Sequence, residues 1–168
     1  MIFIGYSSKD RYTIVESMVF HLKNYGFNVW YDFHDMYLSD ARFETNFEHG
    51  IKDSKYVIFI LSPNFFTSKC AVEELDYAQT LYEQGTIKLF PILYLLEANQ
   101  LPEHYNWIRK IIYNEINKHS GTLFVTNQII EKLLYDQVKT MDLRSMSEIA
   151  QYCSNNNLCY LHKLAEAF

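Results

Sequence analysis

Six consecutive apolar residues, Tyr56-Val57-Ile58-Phe59-Ile60-Leu61, form the strongest strand signal in the chain and stop at Ser62-Pro63. A strand that is apolar on both faces needs cover on both, which a parallel sheet flanked by helices supplies. Ile2-Phe3-Ile4-Gly5-Tyr6 repeats the pattern at the start of the chain, and Phe27-Asn28-Val29-Trp30 and residues 87–95 add two further strands. Helical spacing fills the intervals. Val15, Met18, Val19 and Leu22 define a helix over residues 11–25, stopped by Gly26. Ser8 or Asp10 is the expected cap of that helix. Phe43, Phe47 and Ile51 stripe a helix over 42–51, and residues 68–83 form a third, with Gly85 beyond it. Pro91 removes a ladder donor, so the fourth strand is expected to lie near an edge or to bulge there.

Strand and helix thus alternate four times, the signature of an α/β fold with a parallel sheet and right-handed crossovers. Ligands of such sheets sit beyond the carboxyl ends of the strands. The expected site therefore comprises residues 6–10, 31–40 and 62–74. Further on, residues 102–116 read as a helix and a short strand, and residues 121–126 as extended. Residues 127–141 read as an amphipathic helix with Ile129, Leu133, Leu134 and Val138 toward the core. Two short helices flank Asn155-Asn156-Asn157. The simplest division is a domain over 1–120 and a helical C-terminal extension over 121–168, packed on it.

Composition narrows the function classes. In 168 residues, 49% hydrophobic and 21% charged content describes a globular chain. A net charge of -5 without a Lys/Arg cluster argues against nucleic acid as a partner. A small anionic ligand remains open, because helix N-termini hold phosphate without net positive charge. The 3 cysteines, Cys70, Cys153 and Cys159, show no CxxC spacing. They suggest reduced thiols in a cytoplasmic protein, with neither a zinc site nor a disulfide frame. Neither a signal peptide nor a membrane span is expected.

The third helix contains two adjacent carboxylates. At ~100° per residue, Ala71, Leu75, Ala78 and Tyr82 fall within ~40° of one direction, the core face. Glu74 lies ~60° from that direction and Glu73 ~160° away, facing water. A carboxylate beside a dry face is costly unless paired. Two roles fit Glu74 on spacing alone: a half-buried structural carboxylate paired near the helix start, or a functional one.

These residues also resemble a known family. Ile2-Phe3-Ile4-Gly5-Tyr6-Ser7-Ser8-Lys9-Asp10 is similar to the first signature of Toll/interleukin-1 receptor (TIR) domains. Gly26-Phe27-Asn28-Val29-Trp30-Tyr31-Asp32, followed by Asp35-Met36 and Asp40, resembles the second signature and the loop after it. The chain over 54–63 resembles the central strand ending in Leu-Ser-Pro. The chain over 68–75 resembles the segment in which a tryptophan precedes the catalytic glutamate by four residues. Cys70 stands at the tryptophan position and Glu74 at the glutamate position; Leu38-Ser39 replaces the usual Pro-Gly before Asp40. The look of the whole is similar to small bacterial TIR proteins of Thoeris-type antiphage systems.

The resemblance implies a flavodoxin-like parallel sheet of order 2-1-3-4-5 with helices on both faces. It implies either an enzyme that cleaves the nicotinamide–ribose bond of NAD+, or a non-catalytic scaffold acting by TIR–TIR assembly. The enzyme would make ADP-ribose or a cyclic isomer, a signal for a separate effector in antiphage defence. NAD+ is then substrate, and no metal or cofactor is needed. Glu74 takes the catalytic position; Tyr6, Ser7, Ser8, Asp32, Met36 and Cys70 are the candidate substrate-binding residues. Ser7 and Ser8 would hold the diphosphate or merely cap, and Asp32 would orient a ribose or fix its own loop. Tyr6, Trp30, Tyr31 or Tyr37 would replace the missing aromatic wall. His34 reads as a loop residue, and Cys70 lacks the partners of a nucleophile. A phospho-receiver domain would need an acceptor Asp at the end of the first strand, where this chain has Tyr6-Ser7-Ser8.

Overall fold

The computed structural model of the chain describes residues 1–32, 41, 43–117, 119–138, 145, 147, 148, 151 and 155, with the side chains of 43, 44, 134, 137 and 138 left aside. Strand β1 is Ile2–Gly5, β2 Val29–Trp30, β3 Tyr56–Leu61, β4 Lys88–Tyr94 and β5 Asn114–Ile116. They form one parallel sheet in the order β2-β1-β3-β4-β5, as the resemblance implies. All six residues of β3 are buried, so the longest apolar run in the sequence sits in the middle of the sheet. Each large aliphatic or aromatic side chain buried this way contributes about 1.5–3 kcal/mol.

Alternation along the strands divides the core in two. Ile2, Ile4, Tyr6, Ile58 and Ile60 face α1, Glu16–Asn24, and α3, Leu123–Val138. Phe3, Val57, Phe59 and Leu61 face α2, Lys69–Glu83, and Ile51 of the π helix Phe43–Lys52. The first helix is preceded by a 3-10 turn, Ser8–Asp10, and a π segment, Arg11–Val15. Gly26 has φ 86° and its amide bonds the carbonyl of Lys23 at 2.9 Å, closing the helix in the left-handed stop expected of it.

Two expectations need correction. Neither Ser8 nor Asp10 caps the first helix: no side-chain cap bond is made there, and Asp10 is buried against the turn after β3 instead. Strand β4 lies next to the edge strand β5, near an edge as Pro91 suggested. Pro91 pairs with Phe59 of β3, and β5 joins β4 only from Ile92 onward, so the missing donor costs β5 no bond. Residues 123–126 are helical, not extended. Val125 is buried with Ile129, Ile130 and Leu133 beside α1, and this packing overrides the strand preference of a Leu-Phe-Val-Thr run. Asp136 of α3 also receives ion pairs from Lys132 and from Lys88 at the start of β4. Burial works against ionisation of Asp136, yet these two ammonium groups outweigh it and hold the carboxyl below its ordinary range. Among the described residues no helix is long and apolar enough to cross a membrane.

Candidate active site

The first turn of α2 is built by Ser68, whose φ of -94° and ψ of 107° are those of an N-cap and whose Oγ accepts from the Ala71 amide at 3.4 Å. That start fixes the helix register. Ala71, Leu75, Ala78 and Leu81 point into the core, and Glu74 goes in beside them with 8% of its surface exposed. Glu73 keeps 41% of its side chain exposed and approaches Lys69 at 3.9 Å, so it is half in water. Nδ2 of Asn46 donates to Oε1 of Glu74 at 2.5 Å. The indole Nε1 of Trp30 donates to Oδ1 of Asn46 at 3.1 Å. Asn46 comes from the π helix and Trp30 from β2, so three elements converge on this carboxylate.

Tyr6 and Asp32 lie across the sheet, on the α1 side. The Tyr6 hydroxyl donates to Oδ1 of Asp32 at 2.5 Å and receives Nε of Arg11 at 3.4 Å. Its ring lies 5.5 Å from that of Tyr31, whose hydroxyl donates to Oε1 of Glu16 at 2.7 Å. Burial, reinforced by the Asp32 carboxylate, pushes the Tyr6 phenol far above its ordinary value; burial and Glu16 do the same for Tyr31. Both phenols therefore stay protonated donors at neutral pH.

The remaining candidates separate. Ser7 is buried and its carbonyl accepts from the Asp10 amide at 2.8 Å, while Ser8 is exposed. Asp10, 3% exposed, accepts from Ser62 Oγ at 2.5 Å and from Asn64 Nδ2 at 2.7 Å. This clamp joins the turn after β1 to the turn after β3 at the carboxyl edge. Cys70 is exposed on α2, one turn before Glu74. Met36 lies outside the described residues, as do His34, Asp35, Tyr37, Leu38, Ser39 and Asp40. The structure thus gathers Glu74 with Asn46 and Trp30 on one face, and Tyr6 with Asp32 on the other, around the ends of β1 and β2.

Asn46 was not singled out from sequence. The available signal was a poor helix former one position before the apolar Phe47, a residue type that usually marks caps and turns. Its partner lies 28 residues away, which no helical spacing reveals. Two sizeable concavities, of 460 and 490 Å³, open along β4 and β5 and their flanking segments. Neither includes Glu74. The first is mainly apolar and holds no carboxylate, so size alone does not mark the reactive place in this molecule.

A family model described as TIR domain matches the sequence over residues 2–121. The chain belongs to the TIR-domain family. The match ends just before α3, which completes the α1-side core of this TIR domain. The probable 2' cyclic ADP-D-ribose synthase TcpB of Brucella melitensis is 26% identical over 121 residues, 72% of this chain and 42% of TcpB. The NAD(+) hydrolase TcpC of Escherichia coli is 28% identical over 63% of this chain and 34% of TcpC. The probable 2' cyclic ADP-D-ribose synthase TcpO of Methanobrevibacter olleyae is 35% identical over 60% of this chain and 29% of TcpO. The chain therefore spans less than half the length of these relatives. Among solved structures, the TIR domain of the Toll-related receptor TRR-2 of Hydra magnipapillata superposes with a TM-score of 0.60 at 18% identity. That match covers 83% of this chain and 98% of the Hydra domain, and it bears on the fold alone.

Proposed function

We propose that this TIR domain cleaves the nicotinamide–ribose bond of NAD+, with Glu74 as the catalytic carboxylate. The observation that carries the proposal is a glutamate 8% exposed at the carboxyl edge of the sheet, accepting a hydrogen bond from a buried amide. Most glycoside hydrolysis needs a second carboxylic acid to protonate the leaving oxygen. Nicotinamide in NAD+ is a cationic leaving group. Its C–N bond breaks with the electron pair going to nitrogen, and it departs neutral without a proton. Positive charge develops on the ribose, and a single carboxylate close by stabilises it. Addition of water and loss of a proton gives ADP-ribose. Attack by a hydroxyl or ring nitrogen of the same molecule gives a cyclic product, with proximity deciding between them.

The names of TcpB, TcpC and TcpO support this reading, because loss of nicotinamide is common to both named activities. In the same proposal the protein acts in the cytoplasm, its product signals to a separate effector in antiphage defence, and self-association through TIR surfaces assembles the active form. Tyr6, Ser7, Ser8, Asp32, Met36 and Cys70 are proposed to contact the dinucleotide, which needs neither a metal nor a cofactor. A non-catalytic scaffold is the second reading, and the observation that favours it is exposed Cys70 where the family carries an aromatic.

The test is incubation with NAD+ and chromatographic separation of products, using the wild type, Glu74→Gln and Glu73→Gln. Nicotinamide release should fall at least about 100-fold in Glu74→Gln alone, the scale of losing one electrostatic stabiliser at a reacting centre. Equal release by all three proteins would remove Glu74 from its role.

A further inference from the structure

Three side chains distant in sequence, Trp30, Asn46 and Glu74, are joined by successive hydrogen bonds. Their polarity is set at the Trp30 end. An indole nitrogen can only donate, so the 3.1 Å bond from Trp30 makes Oδ1 of Asn46 the acceptor. The same amide must then turn its NH2 toward Oε1 of Glu74, 2.5 Å away. An ionised carboxylate only accepts and the indole only donates, so one orientation of the amide satisfies both neighbours. Asn46 is 2% exposed, so water does not take over either bond.

The indole is itself fitted closely. A methyl group at Gly50, one turn beyond Asn46 on the π helix, would stand 2.9 Å from Trp30 Nε1 and 3.1 Å from the Phe3 ring. Glycine leaves the room in which the indole lies. The π helix therefore contributes twice to the line, through the amide of Asn46 and through the bare backbone of Gly50.

We infer that Asn46, oriented by Trp30, is a positioning residue that fixes the Oε1 oxygen of Glu74 and so sets the angle at which the carboxylate meets the reacting ribose. This inference rests on the NAD+-cleavage reading above. The ionised carboxylate is the form that stabilises positive charge on the sugar. Charge stabilisation also depends on geometry, and a reacting group held loosely loses rate while substrate binding is little changed.

Two variants separate positioning from packing. Asn46→Leu keeps the branched shape without either polar atom. Trp30→Phe keeps an aromatic ring and deletes the indole N–H. With NAD+ as substrate, Asn46→Leu should lower kcat about 10–100-fold and Trp30→Phe about 3–10-fold, each with KM within about threefold of wild type. Rates are taken per folded molecule, with the folded fraction read by circular dichroism. Unchanged kcat in both variants overturns the inference and leaves the NAD+ reading standing. A second readout needs no turnover: the side-chain amide signals of Asn46 in a nitrogen–proton NMR spectrum. They should move in Glu74→Gln and in Trp30→Phe; signals that stay in place in both variants overturn the line of bonds. If the wild type leaves NAD+ untouched while these signals move, the NAD+ reading fails and the Trp30–Asn46–Glu74 geometry is upheld.

Discussion

Replacing Asp10 by alanine removes the acceptor that joins two turns of the site. Asp10 is 3% exposed and accepts from Ser62 Oγ at 2.5 Å and Asn64 Nδ2 at 2.7 Å. A hydrogen bond to a charged group contributes about 1.5–3 kcal/mol, and a buried partner left unpaired carries its own desolvation cost. The two partners do not suffer equally. Ser62 is 1% exposed and keeps only its acceptor role toward the Phe65 amide at 3.0 Å, whereas Asn64 is half-buried and can rehydrate. The expected loss is therefore about 2–4 kcal/mol, less than two full charge-assisted bonds. For a chain of this size that lowers the melting temperature by about 4–16 °C. Calorimetry on Asp10→Ala, Ser62→Ala and the double variant checks both the size and the coupling. The two substitutions share a bond, so the double variant should be less destabilised than the sum of the singles, by about 1 kcal/mol or more. Additive losses, or an Asp10→Ala protein melting within about 1 °C of wild type, would refute the clamp.

Two other perturbations probe the frame around the site. A Cβ at Gly5 would lie 2.2 Å from Cε1 and 2.5 Å from Cδ1 of Phe59 on the adjoining strand, so Gly5→Ala should cost about 3 kcal/mol in urea unfolding. Phe59→Leu in the same chain should return part of that loss, and no recovery would mean that the ring is not the obstacle. The Asp136 carboxyl titrates below its ordinary value despite burial, because Lys132 and Lys88 donate to it. A depressed folded-state value gives stability that is full above the unfolded carboxyl value of about 4 and fades as pH falls through the lower folded one. Lys88→Met should therefore weaken the protein near neutral pH and make its stability curve shallower between about pH 4 and pH 2. An unaltered acid limb by fluorescence-monitored unfolding would count against the ion pair.

Much of the architecture was legible because it rests on local periodicity. The apolar run over 56–61 became β3 with the expected bounds, and the spacing of Ala71, Leu75 and Ala78 put Glu74 on the buried flank of α2. Where periodicity and tertiary packing disagreed, packing won. Leu123, Phe124, Val125 and Thr126 read as extended, yet they begin α3 because Val125 and the residues a turn beyond it complete the α1-side core. Pro91 read as a sign of a strand near an edge, which β4 is, but that β5 begins to pair only at Ile92 was decided by the docking of the strands.

The sequence by itself determined the sheet class, the order of its elements and which of two adjacent glutamates turns inward, since each follows from the rise and twist of a single element. The surroundings of that glutamate were decided only in three dimensions. Asn46 meets Glu74 because the π helix packs on α2, and Trp30 meets Asn46 because β2 lies beside β1 with Gly50 leaving space above Phe3. Tyr6 and Asp32 were likewise joined, 26 residues apart, on the opposite face of the sheet. Hydrogen bonds between elements depend on how those elements dock, and docking is set by burial of the whole core, which no local pattern encodes.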